Sequence, residues 1–299
     1  MDNTAQQFHS GFVAVVGRPN VGKSTLVNRL VGEKVSIVSP KPQTTRNRIL
    51  GIVGTEHSQV VFVDTPGIHK PKTKLGEYME KSVQDAVQGI DILCVLIDAS
   101  KPRPEDHELA ESYKGFKVPK YLLLNKTDLV RPQDLLPIIS SFADAGFDMV
   151  LPISAKAGEG VDILMQEIYK HLPQGPKYYP DDLWTDQNER QMIAEIIREK
   201  ALMNLREEVP HGIGVEVLSV KEIRKDLTEI QADIYCERAS HKTIIIGRKG
   251  EMLQKIGSQA RADIEKLLDC HVNLQLWVKV RTGWMDSSSD LKSLGYWER

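Results

Sequence analysis

The chain has 299 residues, 41% of them apolar and 27% charged, with 39 Lys and Arg against 41 Asp and Glu. That is enough apolar material for two packed domains, and the net charge of −2 excludes a uniformly basic nucleic-acid coat and a polyacidic disordered chain. Cys94, Cys236 and Cys270 are far apart and match no metal-ligand spacing, no apolar run nears the roughly 18 residues that span a bilayer, and the polar N-terminus lacks a signal-peptide core. A soluble protein of a reducing compartment is expected. Any nucleic-acid surface has to be a local patch.

In chain order, the first 170 residues alternate apolar runs with amphipathic stretches, as in a mostly parallel sheet covered by helices. Strands are expected at 12–17, 49–54, 60–64, 92–98, 121–125 and 149–153, and helices at 23–31, 75–88, 106–114, 133–144 and 161–171. The fourth and fifth strands are almost continuously apolar, which predicts burial on both faces. Three prolines and a glycine between Leu172 and Pro180 read as a linker. Beyond it the pattern becomes α+β: a helix at 188–206, a hairpin from 214–220 and 229–235, a helix at 252–268 and a strand at 273–280. The expected division is a first domain at 8–172, a linker at 173–187, a second, smaller domain at 188–282 and a tail at 283–299.

Gly17-Arg18-Pro19-Asn20-Val21-Gly22-Lys23-Ser24-Thr25 fits G-x-x-x-x-G-K-[ST], placed where a strand gives way to a helix. Its glycines let consecutive N–H groups curl around a phosphate chain, and the helix start adds positive potential. Lys23 would reach the β- and γ-phosphates and Ser24 would ligate Mg²⁺. Asp64-Thr65-Pro66-Gly67 ends the third strand; its carboxylate can hold Mg²⁺ through water, and Gly67 can bring its amide to a γ-phosphate. Asn125-Lys126-Thr127-Asp128 ends the fifth strand, and Asp128 can accept from N1–H and the exocyclic amine of guanine, donors that adenine lacks. Ser154-Ala155-Lys156 after the sixth strand offers main-chain donors to the guanine O6. All lie at carboxyl ends of strands, where open α/β sheets bind ligands. Each motif alone is weak; the ordered set is specific, and this half resembles the translation-factor-type P-loop GTPases.

Between the first helix and second strand lies Ser39-Pro40-Lys41-Pro42-Gln43-Thr44-Thr45-Arg46, a polar, proline-stiffened loop of the sort that carries a switch threonine. Thr45 is preferred over Thr44 as the threonine that joins Mg²⁺. Lys23, Thr45 and Gly67 are the expected catalytic set. Ras-like enzymes place a water-orienting glutamine just after the D-x-x-G glycine. Here that residue is Ile68, so slow intrinsic hydrolysis is expected. Asn20 is read in two ways: as a K⁺ ligand that replaces an arginine finger, or as a residue that tolerates a turn conformation.

The second half contains Ile246-Gly247-Arg248-Lys249-Gly250, preceded by isoleucines and followed by a helix that carries Leu253 and Lys255. G-x-x-G with basic central residues resembles the KH-domain signature, in which a helix N-terminus and close backbone approach favour single-stranded RNA. Arg248 and Lys249 would meet phosphates, with bases in a groove of Ile245, Ile246, Leu253 and Ile256. Residues 241–281 carry eight Lys and Arg against four Asp and Glu, a basic patch in an acidic chain. The β-branched run 243–246 has strand propensity, whereas the KH resemblance implies a short helix. In the tail, Trp284, Leu291, Leu294, Tyr296 and Trp297 are expected to dock on the body of the protein.

Taken together, the G-R-P-N-V-G-K-S-T and P-Q-T-T-R strings, D-T-P-G-I-H and a single G-x-x-G module resemble the Era family of bacterial GTPases, from about Gly11 to about Tyr296. The resemblance implies a P-loop GTPase domain followed by an α+β KH-like domain, with GTP, GDP and Mg²⁺ bound in the first. It further implies binding to 16S ribosomal RNA near its 3′ end, a role in small ribosomal subunit assembly, and a cytoplasmic location with peripheral association with the inner membrane. Two other readings compete: a tRNA-modification or double-GTPase relative sharing the phosphate loop, and a nucleotide-dependent adaptor whose second module binds protein. The first lacks its second GTPase domain and terminal cysteine; salt-dependent RNA binding separates the second.

Overall fold

A computed structural model describes residues 7–68 and 71–296, and the chain divides into two compact units. Among the described residues, unit 1 holds 7–36, 45–68 and 79–186, and unit 2 holds 37–44, 71–78 and 187–296. No described helix is long and apolar enough to cross a membrane.

Unit 1 is built on a six-stranded sheet. Its elements run β1 (His9–Gly17), α1 (Lys23–Val31), β2 (Ile49–Gly54), β3 (Ser58–Asp64), the part of α2 (Lys74–Ala86) from Met79 on, β4 (Ile92–Asp98), α3 (Pro104–Ser112), β5 (Lys120–Asn125), α4 (Pro132–Ser141), β6 (Met149–Pro152) and α5 (Val161–His171). The strand order is β2-β3-β1-β4-β5-β6, with every neighbouring pair parallel except β2 and β3. Every residue of β4 and β5 is buried, as their unbroken apolar runs require when helices cover both faces. Val13, Val15, Phe62 and Leu123 form one core with Leu26 of α1 and Leu164 of α5. Their strand neighbours Ala14, Val16, Val95 and Leu124 face the other way, toward Leu109 of α3.

The proline-rich segment is not a free tether. Within unit 1, Pro173 O accepts from Ser10 N at 3.1 Å, Gly175 N donates to Phe8 O at 3.1 Å, and the Gln59 side chain binds the main chain of Tyr178 and Tyr179. Further on, Ile52 N donates to Trp184 O at 3.0 Å. The segment is thereby tied to β1 and β3, and its continuation at Trp184 satisfies a β2 donor that an edge strand would leave open.

Unit 2 carries α6 (Glu189–Asn204), β7 (Gly214–Arg224), β8 (Leu227–Cys236), α7 (Ala239–Ile246), α8 (Glu251–Leu268), β9 (His271–Val280) and α9 (Ser288–Ser293). A capping box starts α6: Asn188 Oδ1 accepts from Gln191 N at 2.9 Å and Gln191 Oε1 accepts from Asn188 N at 3.0 Å. β7 and β8 form the expected antiparallel hairpin, longer than its alternation suggested, and β9 joins β8 in parallel. The β-branched run 243–246 is helical, as the KH resemblance implied and against local propensity. Packing decides it, because Ile245 is wholly buried and Ile246 lies against the same core as Ile256, Ala260 and Ile264 of α8.

The tail docks within unit 2. Trp284 is fully buried and donates its indole N–H to Gly212 O at 3.1 Å, Tyr296 stacks on it, and Leu291 is buried. Trp297 lies outside the described residues. Unit 2 also holds the loop 37–44: Glu199 Oε1 accepts from Val38 N at 2.9 Å, and the Arg198 guanidinium donates to Thr44 O. Both α6 residues are buried, and Glu195 supplies the Arg198 counter-charge.

Candidate nucleotide site and nucleic-acid interface

The phosphate loop leaves β1 and enters α1 at Gly22, which adopts φ 105°. A Cβ there would collide with the Asn125 carboxamide, so the position requires glycine both for its dihedral and for its space. Lys23 Nζ is held inside the loop, donating to Gly17 O and Arg18 O at 3.0 Å each. Burial lowers its ammonium pKa to about 8, with Asp64 pulling the other way. Asn20 takes a left-handed conformation, φ 63°, the geometry that the turn reading of this residue anticipates. Gly67 follows β3 and packs on Pro19; a Cβ on it would sit 2.7 Å from Pro19 Cα. The next residue, Ile68, donates its N–H to Gly17 O at 3.2 Å and turns its side chain to the apolar core.

Three oxygen-bearing side chains converge beside Lys23. Ser24 Oγ and Thr45 Oγ1 lie 2.9 Å apart, whereas the Thr44 hydroxyl is engaged within its own loop by Ser39 Oγ and Lys41 O. Asp64 is fully buried, and neither of its carboxylate oxygens has a hydrogen-bond partner. Burial pushes this carboxyl above the usual carboxylate range, with Lys23 opposing. An orphaned carboxylate next to two hydroxyls is an all-oxygen donor set for a hard cation. Among the described residues there is no cluster of three or more His, Cys, Asp or Glu. A cation here would therefore draw its remaining oxygens from phosphate and water, as Mg²⁺ does.

On the base side, the Asn125 carboxamide ties two loops together: Nδ2 donates to Val21 O at 2.8 Å and Oδ1 accepts from Ala155 N at 2.9 Å. Lys126 Nζ donates to Asn20 O at 2.7 Å and pairs with Asp98 Oδ2 at 2.6 Å. Ser154 Oγ donates to Asp128 Oδ1 at 2.7 Å and accepts from Ala157 N at 3.1 Å. That leaves Asp128 positioned to accept from two adjacent donors on a base edge. Lys156, the last residue of this motif, is exposed, and its carbonyl and that of Ala155 accept from Arg29 of α1.

In unit 2 the G-x-x-G segment bridges α7 and α8. Gly247 has φ 73° and its Cβ would crowd Met252; Gly250, at φ 85°, has open space around it. Arg248, Lys249 and Lys255 are exposed, ahead of or on the first turns of α8. The groove differs from the expected one. Ile245 and Ile256 are core residues with no exposed surface, and Ile246 packs partly against them. Instead a groove of about 380 Å³ runs along α8 and β9, with Leu253, Leu274 and Leu276 as apolar floor and Gln254, Ser258, Arg261 and Asn273 as polar rim. Helical spacing on α8 could have pointed to Gln254, Ser258 and Arg261, which recur every three or four residues. The β9 wall had no such signal, since its place beside α8 is a tertiary fact. In unit 1, Asp98 was missed although it ends a strand beside the other motifs.

Two family models match in order: a 50S ribosome-binding GTPase model over residues 12–126 and a KH domain model over 208–285. GTPase Era of Ruminiclostridium cellulolyticum is 50% identical over 291 residues, 97% of this chain and 98% of its own length. GTPase Era of Clostridium botulinum strain Langeland is 52% identical over 294 residues, with the same coverage. Among solved structures, Era in complex with MgGDPNP and nucleotides 1506–1542 of 16S ribosomal RNA superposes with a TM-score of 0.92 at 39% identity, over 97% of this chain and 99% of that one. A point variant of Aquifex aeolicus Era bound to GDP·AlF₄⁻ gives 0.91 at the same identity and coverage. With half its residues identical to these relatives across nearly the full length, and with both modules in the same order, the chain belongs to the GTPase Era family.

Proposed function

We propose that this protein is a GTP-hydrolysing switch whose second unit binds small-subunit ribosomal RNA near the 16S 3′ end and assists assembly of that subunit. The observation that carries the nucleotide half is the Ser24–Thr45 hydroxyl pair beside the partnerless Asp64 carboxylate. The RNA half is supported by the KH module and by the relative bound to MgGDPNP and a 16S fragment. Three unbridged cysteines fit a reducing cytoplasm.

Main-chain amides from Gly17 to Thr25 wrap the phosphates, and Lys23 exchanges its two carbonyl partners for phosphate oxygens. Ser24, Thr45 and Asp64 would hold Mg²⁺, which would neutralise charge on the β- and γ-oxygens. Gly67 brings its amide to the γ-phosphate. Asn125, Lys126, Asp128, Ser154, Ala155 and Lys156 form the guanine end. Ile68 has no side-chain group to orient water and its N–H is already given to Gly17 O, so intrinsic turnover is slow. In unit 2, Ile246, Gly247, Arg248, Lys249, Gly250, Leu253 and Lys255 meet single-stranded RNA. Switching requires that RNA favour one nucleotide state, because equal affinities shift nothing.

RNA carrying the 3′-terminal small-subunit sequence should bind the GTP-loaded protein more tightly than the GDP-loaded one; equal affinities would remove the switch. Replacing Arg248 and Lys249 with Asp should weaken that binding by more than about tenfold while leaving GTP hydrolysis in place. Asp128→Asn should lower GTP affinity by about a hundredfold or more and turn preference toward xanthine nucleotides, read by calorimetry. For Asn20 as a K⁺ ligand, turnover should be faster in K⁺ than in Na⁺, and identical rates would discard the idea. The Lys23 ammonium supplies a pH signature. Free protein loses this proton above about pH 8, and phosphate raises its pKa, so binding takes up a proton there. Nucleotide affinity should be level below that pH and fall above it, by at most about tenfold per pH unit, in fluorescent-nucleotide titrations.

A further inference from the structure

We propose that Asp106, on α3, is a positioning residue for the phosphate loop, and that its grip on Arg18 sets how long a guanine nucleotide stays bound. The inference rests on the nucleotide reading of unit 1 and adds to it a determinant that lies outside the nucleotide motifs.

The G-x-x-x-x-G-K-[ST] pattern makes no demand on its second position, yet Arg18 is fixed there by a paired contact. Its Nε donates to Asp106 Oδ1 at 2.6 Å and its Nη2 donates to Asp106 Oδ2 at 2.8 Å. Asp106 has no exposed surface. This is the two-pronged arginine–carboxylate geometry, shielded from water on the carboxylate side, where it is strong and directional. At the other end of the same residue, the Arg18 carbonyl accepts from Lys23 Nζ at 3.0 Å. Residue 18 is therefore a junction whose side chain is anchored to α3 and whose main chain faces the phosphate-binding lysine.

A loop that binds anions through its own amides works only if those amides already point inward. Freedom gained in the empty loop must be lost again on binding, which weakens the complex. Releasing Arg18 from α3 gives the first turn of the loop that freedom. The Asp106 carboxylate also accepts from Arg103 N at 2.8 Å and so caps α3. A purely structural role for Asp106 would lie in this cap, and the two roles can be separated: Asn retains an acceptor for Arg103 N but has no charge and only one oxygen for Arg18.

The test is a double-mutant cycle on the full chain with Arg18→Gln, Asp106→Asn and the pair, reading the dissociation rate of a fluorescent GDP alongside the thermal unfolding midpoint. Each single substitution should speed release by about tenfold, and the pair should release no faster than either single, because both remove the same contact. Asp106→Asn should lower the midpoint, because it breaks a buried ion pair, so release is read at a temperature where every variant is fully folded. Wild-type release in both singles, or effects that multiply in the pair, would overturn the proposal. Should Asp106→Asn fail to fold, Arg18→Lys carries the test alone: it leaves the cap of α3 untouched and keeps the charge while losing the fork. Faster release from it supports the role of Asp106, and unchanged release refutes it. Wild-type protein that bound no GDP would sink the nucleotide reading itself. Wild-type protein that bound GDP, with release indifferent to these substitutions, would sink only this inference.

Discussion

Unit 1 encloses two opposite charges, Lys23 and Asp64, and gives neither a direct ionic partner. Lys23 is satisfied by two carbonyl oxygens, while the Asp64 oxygens meet no full hydrogen bond and are only eased by the nearby Ser24, Ser36 and Thr65 donors. Burying a charge costs several kcal/mol unless it is paired, so an apolar pair of similar volume would make a more stable sheet end. The arrangement makes sense as one half of an interaction whose other half is polyanionic and arrives with a cation. Depression of the lysine and elevation of the carboxyl are the same cost seen by titration.

A site that holds uncompensated charge must be kept from relaxing, and the surrounding hydrogen bonds do this by joining loops that leave different strands. Asn125 links the phosphate loop to the segment after β6, Lys126 links Asn20 to Asp98, and Arg29 of α1 holds the carbonyls of Ala155 and Lys156. Each bond contributes modestly by itself. Their joint effect is that the phosphate and base ends cannot shift independently, which is what reading a base at a fixed distance from its phosphates demands.

Much of this was legible because parallel sheets place chemistry at predictable points. Once β1, β3, β5 and β6 are recognised as apolar runs, Gly17, Asp64, Asn125 and Ser154 fall at one end of the sheet with no further information. Contacts without a spacing rule were not legible. Arg18 and Asp106 are 88 positions apart, and only the fold brings them together. Propensity points the wrong way for the run 243–246, since β-branched residues favour strands; burial of Ile245 against the core decides for a helix. In unit 2, Leu253 lines a groove as expected, whereas Ile245 and Ile256 are core. Apolar residues near a loop are more often core than lining, and Ile256 is core.

Thr44 and Thr45 show how a covalent neighbour can divide its work. Thr44 belongs to unit 2: its hydroxyl is closed onto Ser39 and Lys41, and its carbonyl accepts from buried Arg198. Thr45 belongs to unit 1 and meets Ser24. Arg198 already has one guanidinium nitrogen, Nη1, buried without a partner. Losing the Thr44 carbonyl would deprive a buried cation of a further acceptor, a cost well above that of an ordinary surface contact. Glu199 imposes the same penalty at Val38, the other end of the loop. The segment is held at both ends by buried charges. If RNA and nucleotide both favour one state of this loop, linkage requires each to raise affinity for the other by the same factor.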